Sequence, residues 1–380
     1  MELQGTCDAA FAPVRDAFVT NFANGDEVGA SVCVTKEGRT VVDLWAGDAD
    51  THGRPWAEDT IVNVWSTTKT MAATCVLMLA DRGEVDLDAP VATYWPEFAA
   101  NGKEGVLIRH VMSHSAGLAG WDPPIEVDVL YDWDRAVELL AAQAPWWEPG
   151  TASGYHALTQ GYLQGEIVRR VSGRSIGTYF REEVAEPLEA DFHIGLPDSA
   201  DGRAGEMIAP EADLSAALAV VEPDSVAART FLSCAVTGAE PNTRAWRASE
   251  IPAGGGFGNA RSVGRVHSAL ACGGEVDGVK LLSAAGVERI LEEQTDGTDL
   301  VLNFPMRFGM GFGLMGEMIP LSPNPRSFFW GGWGGSMSVI DLDEAMTVTY
   351  VMNKMATDLI GDMRGIGIVF AAYEALANRG

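Results

Sequence analysis

The stretch 61-IVNVWSTTKTMAATCVLMLADRG-83 constrains this chain more than any other. After Lys69 it carries no charge before Asp81. Apolar residues fall on nearly every face of a helix, so the run predicts a helix buried on all sides over 66–82, closed by Gly83. Such a helix belongs at the centre of a fold. It takes Lys69 inside with it, and a buried lysine needs partners or a purpose.

Ser66 suggests a purpose. Residues three apart on a helix share a face, so Lys69 lies beside the Ser66 hydroxyl. The helix start adds free backbone N–H groups and a positive potential. A serine hydroxyl is a weak nucleophile until a base takes its proton, and a desolvated lysine, driven toward its neutral form, can be that base. The alternative is a serine cap beside a snorkelling lysine. The apolar surroundings of Lys69 argue against it.

Composition narrows the classes. The chain has 380 residues, with 53 acidic against 26 basic ones. A net charge of -27 repels nucleic acid and anionic membrane surfaces, so neither is an expected partner. Cys7, Cys33, Cys75, Cys234 and Cys272 are scattered and form no C-x-x-C pair. They are expected as free thiols in a reducing compartment, the cytoplasm, with no zinc site or other metal. The first residues carry acidic groups and no continuous apolar segment, which argues against a secretory leader.

Along the chain, residues 8–23 predict an amphipathic helix, and 28-VGASVCVTKEGRTVVDLWAG-47 predicts two strands turning at Glu37-Gly38. From about 90 to 250 the pattern is mainly helical, as in 134–143 and 157–173. Two more helices are expected at 262–271 and 283–293. Then 328-FFWGGWGGSMSVID-341 and 345-AMTVTYVMN-353 predict two antiparallel strands, and a last helix runs from about 359 to 377. Strands at both ends with helices between give an α+β class, one antiparallel sheet flanked by helices plus a mainly helical domain. The expected domains are 1–88 with 250–380, and 89–249.

Two further segments carry candidate chemistry. Tyr155 sits where a turn enters a helix and can present its phenol to a cleft; near a cation it can pass protons. On spacing alone it reads better as an ordinary helix-start aromatic of the core. His156 could compete as base, but the better reading is a local hydrogen-bond partner. The glycines of 329-FWGGWGGS-336 cannot serve side-chain packing, so they mark a bulge or a close approach of ligand to backbone, where an N–H can face an oxyanion.

Together the S-x-x-K at a helix start, the tyrosine some 90 residues on and the glycine-rich strand near the C-terminus resemble the serine β-lactamase and penicillin-binding-protein superfamily. Within it they resemble the class C β-lactamase-related esterases, the family VIII carboxylesterases. The segments 110-HVMSHSAGLAGW-121 and 252-PAGGGFGNARSVGRV-266 share in the likeness.

The resemblance implies a β-lactamase-like fold, Ser66 as acylated nucleophile, Lys69 as its base partner, and Tyr155 as the tyrosine that deprotonates the serine and later activates water. It implies an oxyanion hole from the N–H groups of Ser66 and Trp333. Trp330, Gly331, Gly332, Trp333 and His156 are the expected substrate-binding residues, and no cofactor is expected. Trp330-Gly331-Gly332 stands where β-lactamases have Lys-Thr-Gly, and Tyr155-His156-Ala157 where they have Tyr-x-Asn. The missing cation and amide favour small neutral esters with short acyl chains over β-lactams.

Other functions of the same fold stay open: a β-lactamase, a D-amino-acid peptidase or amidase, an acyltransferase, or a non-enzymatic penicillin-recognising protein. A rival nucleophile is Ser175 in 173-GRSIG-177, which fits G-x-S-x-G. That motif must join a strand to a helix. Here it lies between two helical stretches, so Gly173 is better read as a helix C-cap. His114 and His267 are expected to be structural.

Overall fold

In the computed structural model, which describes residues 2–210 and 222–378, nine strands form one antiparallel sheet. They are β1 (Leu3–Cys7), β2 (Gly29–Lys36), β3 (Arg39–Gly47), β4 (Thr295–Thr298), β5 (Pro305–Phe308), β6 (Gly313–Leu314), β7 (Ser327–Gly331), β8 (Met337–Asp341) and β9 (Met346–Met352). Their order is β1-β3-β2-β9-β8-β7-β6-β5-β4. The two ends of the chain therefore meet at the β2–β9 ladder, where Val34 faces Val348 and Cys33 faces Thr349.

The turn joining β2 to β3 has Glu37 at φ 51° and Gly38 at φ 79°. Two successive left-handed residues match the twist of the flanking strands, which is why Glu-Gly serves as the hairpin.

Five helices matter for the site: α1 (Ala12–Ala23), α2 (Thr68–Asp81), α3 (Thr159–Ser172), α4 (Ala260–Ala271) and α5 (Met363–Ala377). On one sheet face, Gly264 of α4 lies against Cys33 and Thr349. On the other, Gly365 of α5 lies against Tyr350 and Met337. Both faces of β2, β8 and β9 are thus covered, and these strands read as unbroken buried runs rather than as alternating ones. His267 of α4 joins Ser338 at 2.7 Å and Thr70 at 2.9 Å, tying sheet to α2; it is structural, as expected.

Helix α2 is buried from Thr68 to Leu79 and ends as the apolar pattern predicts, with Gly83 left-handed at φ 74°. The expected helices at 134–143 and 157–173 appear as Trp133–Ala142 and α3. Part of the region expected to be mainly helical, 211–221, lies outside the described residues.

One expectation needs correction. The stretch 328–341 is not a single strand: β7 ends at Gly331 and β8 begins at Met337, with a tight turn between. Gly334 and Gly335 take φ 92° and 132° there, values open to glycine and strained for other residues. Strands β1 and β4 to β6 were also not anticipated. Among the described residues no helix is long and apolar enough to cross a membrane.

Candidate active site

Ser66 enters α2 through a short 3₁₀ turn, Trp65–Thr67. Trp65 holds φ 47°, a left-handed conformation that is costly for a bulky residue. Asn63 Oδ1 accepts the Trp65 N–H at 3.0 Å, and Thr68 Oγ1 donates to the Trp65 carbonyl at 2.5 Å. The strained residue is thus held from both sides, and it delivers Ser66 at the mouth of the helix.

Lys69 is 1% exposed. Its Nζ lies 3.0 Å from Ser66 Oγ, 2.7 Å from the Ala157 carbonyl and 2.8 Å from the Ala253 carbonyl. Two carbonyls take two N–H groups in either charge state. The third direction of the amine points at Ser66, as a proton donor when charged and as a lone pair when neutral. Burial holds the lysine well below its ordinary pKa, which favours the lone pair.

The Tyr155 hydroxyl donates to Ser66 Oγ in a short hydrogen bond. Its ring lies 4.7 Å under Lys69 Nζ. Burial raises the phenol above its usual pKa, outweighing the Ser66 hydrogen bond, so the resting tyrosine is protonated. A neutral amine and a neutral phenol on either side of one serine hydroxyl form a path for a single proton.

The glycine-rich turn closes the other side. Ser336 Oγ donates to the Val64 carbonyl at 2.8 Å and meets Thr67 Oγ1 at 3.0 Å, tying the turn to the segment that carries Ser66. A Cβ on Gly332 would meet the Val64 carbonyl oxygen at 2.3 Å and Ser66 N at 3.1 Å. Only glycine allows this approach. Among the described residues, the N–H groups of Ser66 and Trp333 have no hydrogen-bond acceptor, and both residues line one cavity.

That cavity encloses about 650 Å³, open solvent at its mouth included. Its walls are Trp65, Ala119, Trp121, Leu158, Phe231, Val236, Trp333 and Leu359, with Ser66 and Tyr155 at one side. Among the described residues no charged side chain lines it.

The structure sorts the expected substrate-binding residues. Trp333 lines the cavity and packs on Trp65 at 4.8 Å. Gly331 packs against Ile360 and Gly361, and Gly332 against Val64 and Ser66; neither is among the residues lining the cavity. Trp330 does not reach the cavity: it is 1% exposed, stacks on His114 at 5.7 Å and lies beside the Tyr155 ring. His156 must be withdrawn from the substrate set. It is fully buried; its Nδ1 meets the Gly154 carbonyl at 2.6 Å and its Nε2 accepts the Leu118 N–H at 3.1 Å. Burial lowers its pKa to about 3, so it is a neutral structural brace. His114 accepts the His156 N–H and is equally structural.

Ser175 is an N-cap. It accepts the Thr178 N–H and donates to Glu250 Oε1 at 2.6 Å, away from the cavity.

Asp299 was missed in the sequence. It is fully buried, and its Oδ1 accepts N–H groups from Tyr155, Val301 and Leu302 at 3.0, 2.9 and 2.9 Å. It fixes the backbone of Tyr155 from 144 positions away, so no local pattern reveals it. Asp299→Ala leaves three buried donors unpaired. The expected loss is about 3 kcal/mol in urea unfolding, with Asp299→Asn milder because it keeps an acceptor.

A cleft with a buried lysine and a tyrosine on one serine, facing a glycine-rich strand, defines an active-site serine protein of the β-lactamase fold. The chain belongs to the β-lactamase family: the family model described as beta-lactamase matches residues 14–371. The Esterase/beta-lactamase LipL of Mycobacterium tuberculosis (strain ATCC 25618 / H37Rv) is 37% identical over 374 residues, 94% of this chain and 84% of LipL. Among solved structures, a family VIII carboxylesterase superposes with a TM-score of 0.91 at 44% identity, covering 99% of this chain and 100% of that one. A penicillin-binding protein homolog from Caulobacter crescentus gives 0.92 at 39% identity, with 99% and 100% covered.

Proposed function

We propose that this protein is a carboxylesterase that cleaves small neutral esters with short acyl chains through an acyl-enzyme on Ser66. The observation that carries this is the Lys69–Ser66–Tyr155 hydrogen-bonded set opening onto a cavity whose described lining is mostly apolar and carries no charged side chain. The site falls at a seam: Ser66 and Trp333 come from the sheet unit 1–88 and 250–380, and Tyr155 from the helical unit 89–249.

In acylation, Ser66 Oγ attacks the ester carbonyl carbon while the neutral Lys69 amine takes the serine proton; Tyr155, expected from the resemblance to take it, is held protonated by burial and acts in the next step instead. The carbonyl oxygen becomes an oxyanion and accepts from the Ser66 and Trp333 N–H groups. The C–O bond to the alcohol breaks, Tyr155 gives its proton to the departing oxygen, and the Lys69 ammonium returns one to Tyr155. The net transfer is one proton from serine to alcohol. In deacylation, water attacks the acyl carbon along the same proton path in reverse, releasing the acid and restoring Ser66.

The cavity suits uncharged substrates. Trp330 stands where a β-lactamase lysine would meet a drug's carboxylate, and it is packed against His114 instead. Ala157 offers no side-chain amide, and its carbonyl is taken by Lys69. The free thiols of all five cysteines fit a reducing compartment, the cytoplasm.

The test compares p-nitrophenyl acetate and butyrate with a chromogenic cephalosporin. The esters should be preferred in kcat/KM by about 100-fold, the weight of one or two missing polar contacts. Intact-mass analysis should show a transient acyl adduct. A cephalosporin rate that rivals the ester rate would favour a β-lactamase instead, and product transfer to an added alcohol in place of water would favour an acyltransferase.

A further inference from the structure

The direction of the Trp333 N–H is set by the peptide unit that contains it. In a trans peptide the carbonyl and the following N–H point opposite ways. The Gly332 carbonyl accepts from the N–H groups of Gly335 at 3.2 Å and Gly361 at 3.3 Å. The Trp333 N–H is therefore turned the other way, toward the cavity.

Behind this turn lies a buried ionic cluster that the chemistry above does not use. Arg364, on the first turn of α5, is 9% exposed. Its Nη2 donates to the Gly334 carbonyl at 2.7 Å and to Asp362 Oδ2 at 2.6 Å. Its Nε also donates to Asp362, and its Nη1 donates to Glu27 Oε2 at 3.1 Å and the Lys354 carbonyl at 2.9 Å. Glu27 is fixed in turn by a short hydrogen bond from the Tyr350 hydroxyl. All three charged residues of this cluster are nearly inaccessible to solvent.

The cluster touches the turn at two more points. A Cβ on Gly335 would meet Asp362 Oδ2 at 2.5 Å and Arg364 Nη2 at 2.7 Å. Asp362 also caps α5 directly after Gly361, the residue whose N–H holds the Gly332 carbonyl. The start of α5 and the oxyanion turn are tied together by these contacts. A planar guanidinium suits this place because its fork serves the Gly334 and Lys354 carbonyls and two carboxylates at once, more partners than the three donors of an ammonium can meet.

We infer that Arg364 is a positioning residue for ester cleavage: clamped between Glu27 and Asp362, it holds the 332–335 turn so that the Trp333 N–H meets the developing oxyanion. The inference rests on the esterase reading of the Ser66 site. Arg364 touches neither Ser66 nor the cavity, so its effect must appear in transition-state stabilisation and not in substrate capture.

The experiment uses Arg364→Lys and the milder Glu27→Gln, each checked for folding by near-UV circular dichroism. Kinetics on p-nitrophenyl butyrate are paired with inhibition by phenylboronic acid. There boron accepts an electron pair from Ser66 Oγ, Lys69 takes the serine proton, and a boron-bound oxygen sits where the oxyanion would. Arg364→Lys should lower kcat by about tenfold, weaken the boronic acid by the same factor and leave KM within about twofold. Glu27→Gln should move kcat and inhibition together, by about threefold, and it decides alone if Arg364→Lys does not fold. Unchanged kcat and inhibition in folded variants of an active enzyme would overturn the Arg364 inference alone. A wild type that cleaves no ester would overturn both it and the reading it rests on.

Discussion

Ser66→Ala should remove ester turnover, by a factor on the order of 10⁴ to 10⁶ in kcat, while the fold survives. The variant deletes one hydroxyl at the start of a buried helix and leaves both flanking groups, Lys69 and Tyr155, in place. Lys69 keeps its bonds to the Ala157 and Ala253 carbonyls, so the site loses its nucleophile without losing its shape. Ser175→Ala is the matched control. It removes a helix cap, which costs about 1 kcal/mol of stability, and should leave turnover within about twofold. Initial rates on p-nitrophenyl butyrate, with circular dichroism for both variants, check the pair. Full activity in Ser66→Ala would sink the acyl-enzyme mechanism.

Lys69→Met should lower kcat/KM by about 10³-fold, the upper part of what a positioned base contributes. The pH profile separates a lost base from a disturbed fold. The active form of Lys69 is the neutral amine, and burial puts its pKa well below the ordinary 10.5. Wild-type kcat/KM should therefore fall as pH drops through that lowered value, because protonation blocks the lone pair aimed at Ser66. Lys69→Met should have no such acid limb in its residual rate. An unchanged limb in the variant would assign it to another group. Linkage gives a second sign: between the lowered folded pKa and the ordinary unfolded one, the unfolded chain binds the extra proton. Lys69 therefore makes wild-type stability rise with pH across that window.

How much of this was legible in the sequence follows the range of each interaction. Ser66 and Lys69 are three apart on one helix, so spacing and apolar context place them together before any fold is known. The Glu37-Gly38 hairpin is equally local. Tyr155 required the family likeness, because nothing near position 155 points to position 66. The glycines of 331–335 signalled a close backbone approach, but not that the strand breaks there; alternation alone cannot separate one long strand from two joined by a turn.

Strands β4 to β6 were invisible for another reason. Their sequences, such as Thr-Asp-Gly-Thr at 295–298, carry little β-propensity and are held by their neighbours in the sheet. His156 was misplaced because adjacency to Tyr155 in sequence says nothing about which way its ring turns, and here it turns into the backbone of the Gly154 and Leu118 segments. Asp299 and Arg364 act on groups 144 and 30 positions away, through side-chain to backbone bonds that leave no periodic trace.

The meeting of both ends of the chain at the β2–β9 ladder also governs how the molecule is made. Gly29 in β2 bonds to Asn353, 324 positions later. At about 5–20 residues per second, a ribosome spends roughly 20 to 60 s between emitting the two partners. Throughout that interval the β2–β3 hairpin emerges with one β2 edge open, an exposed template of the kind that recruits other chains. Until β9 emerges that edge can pair only with another chain, and the pocket cannot close before Trp333 has been made.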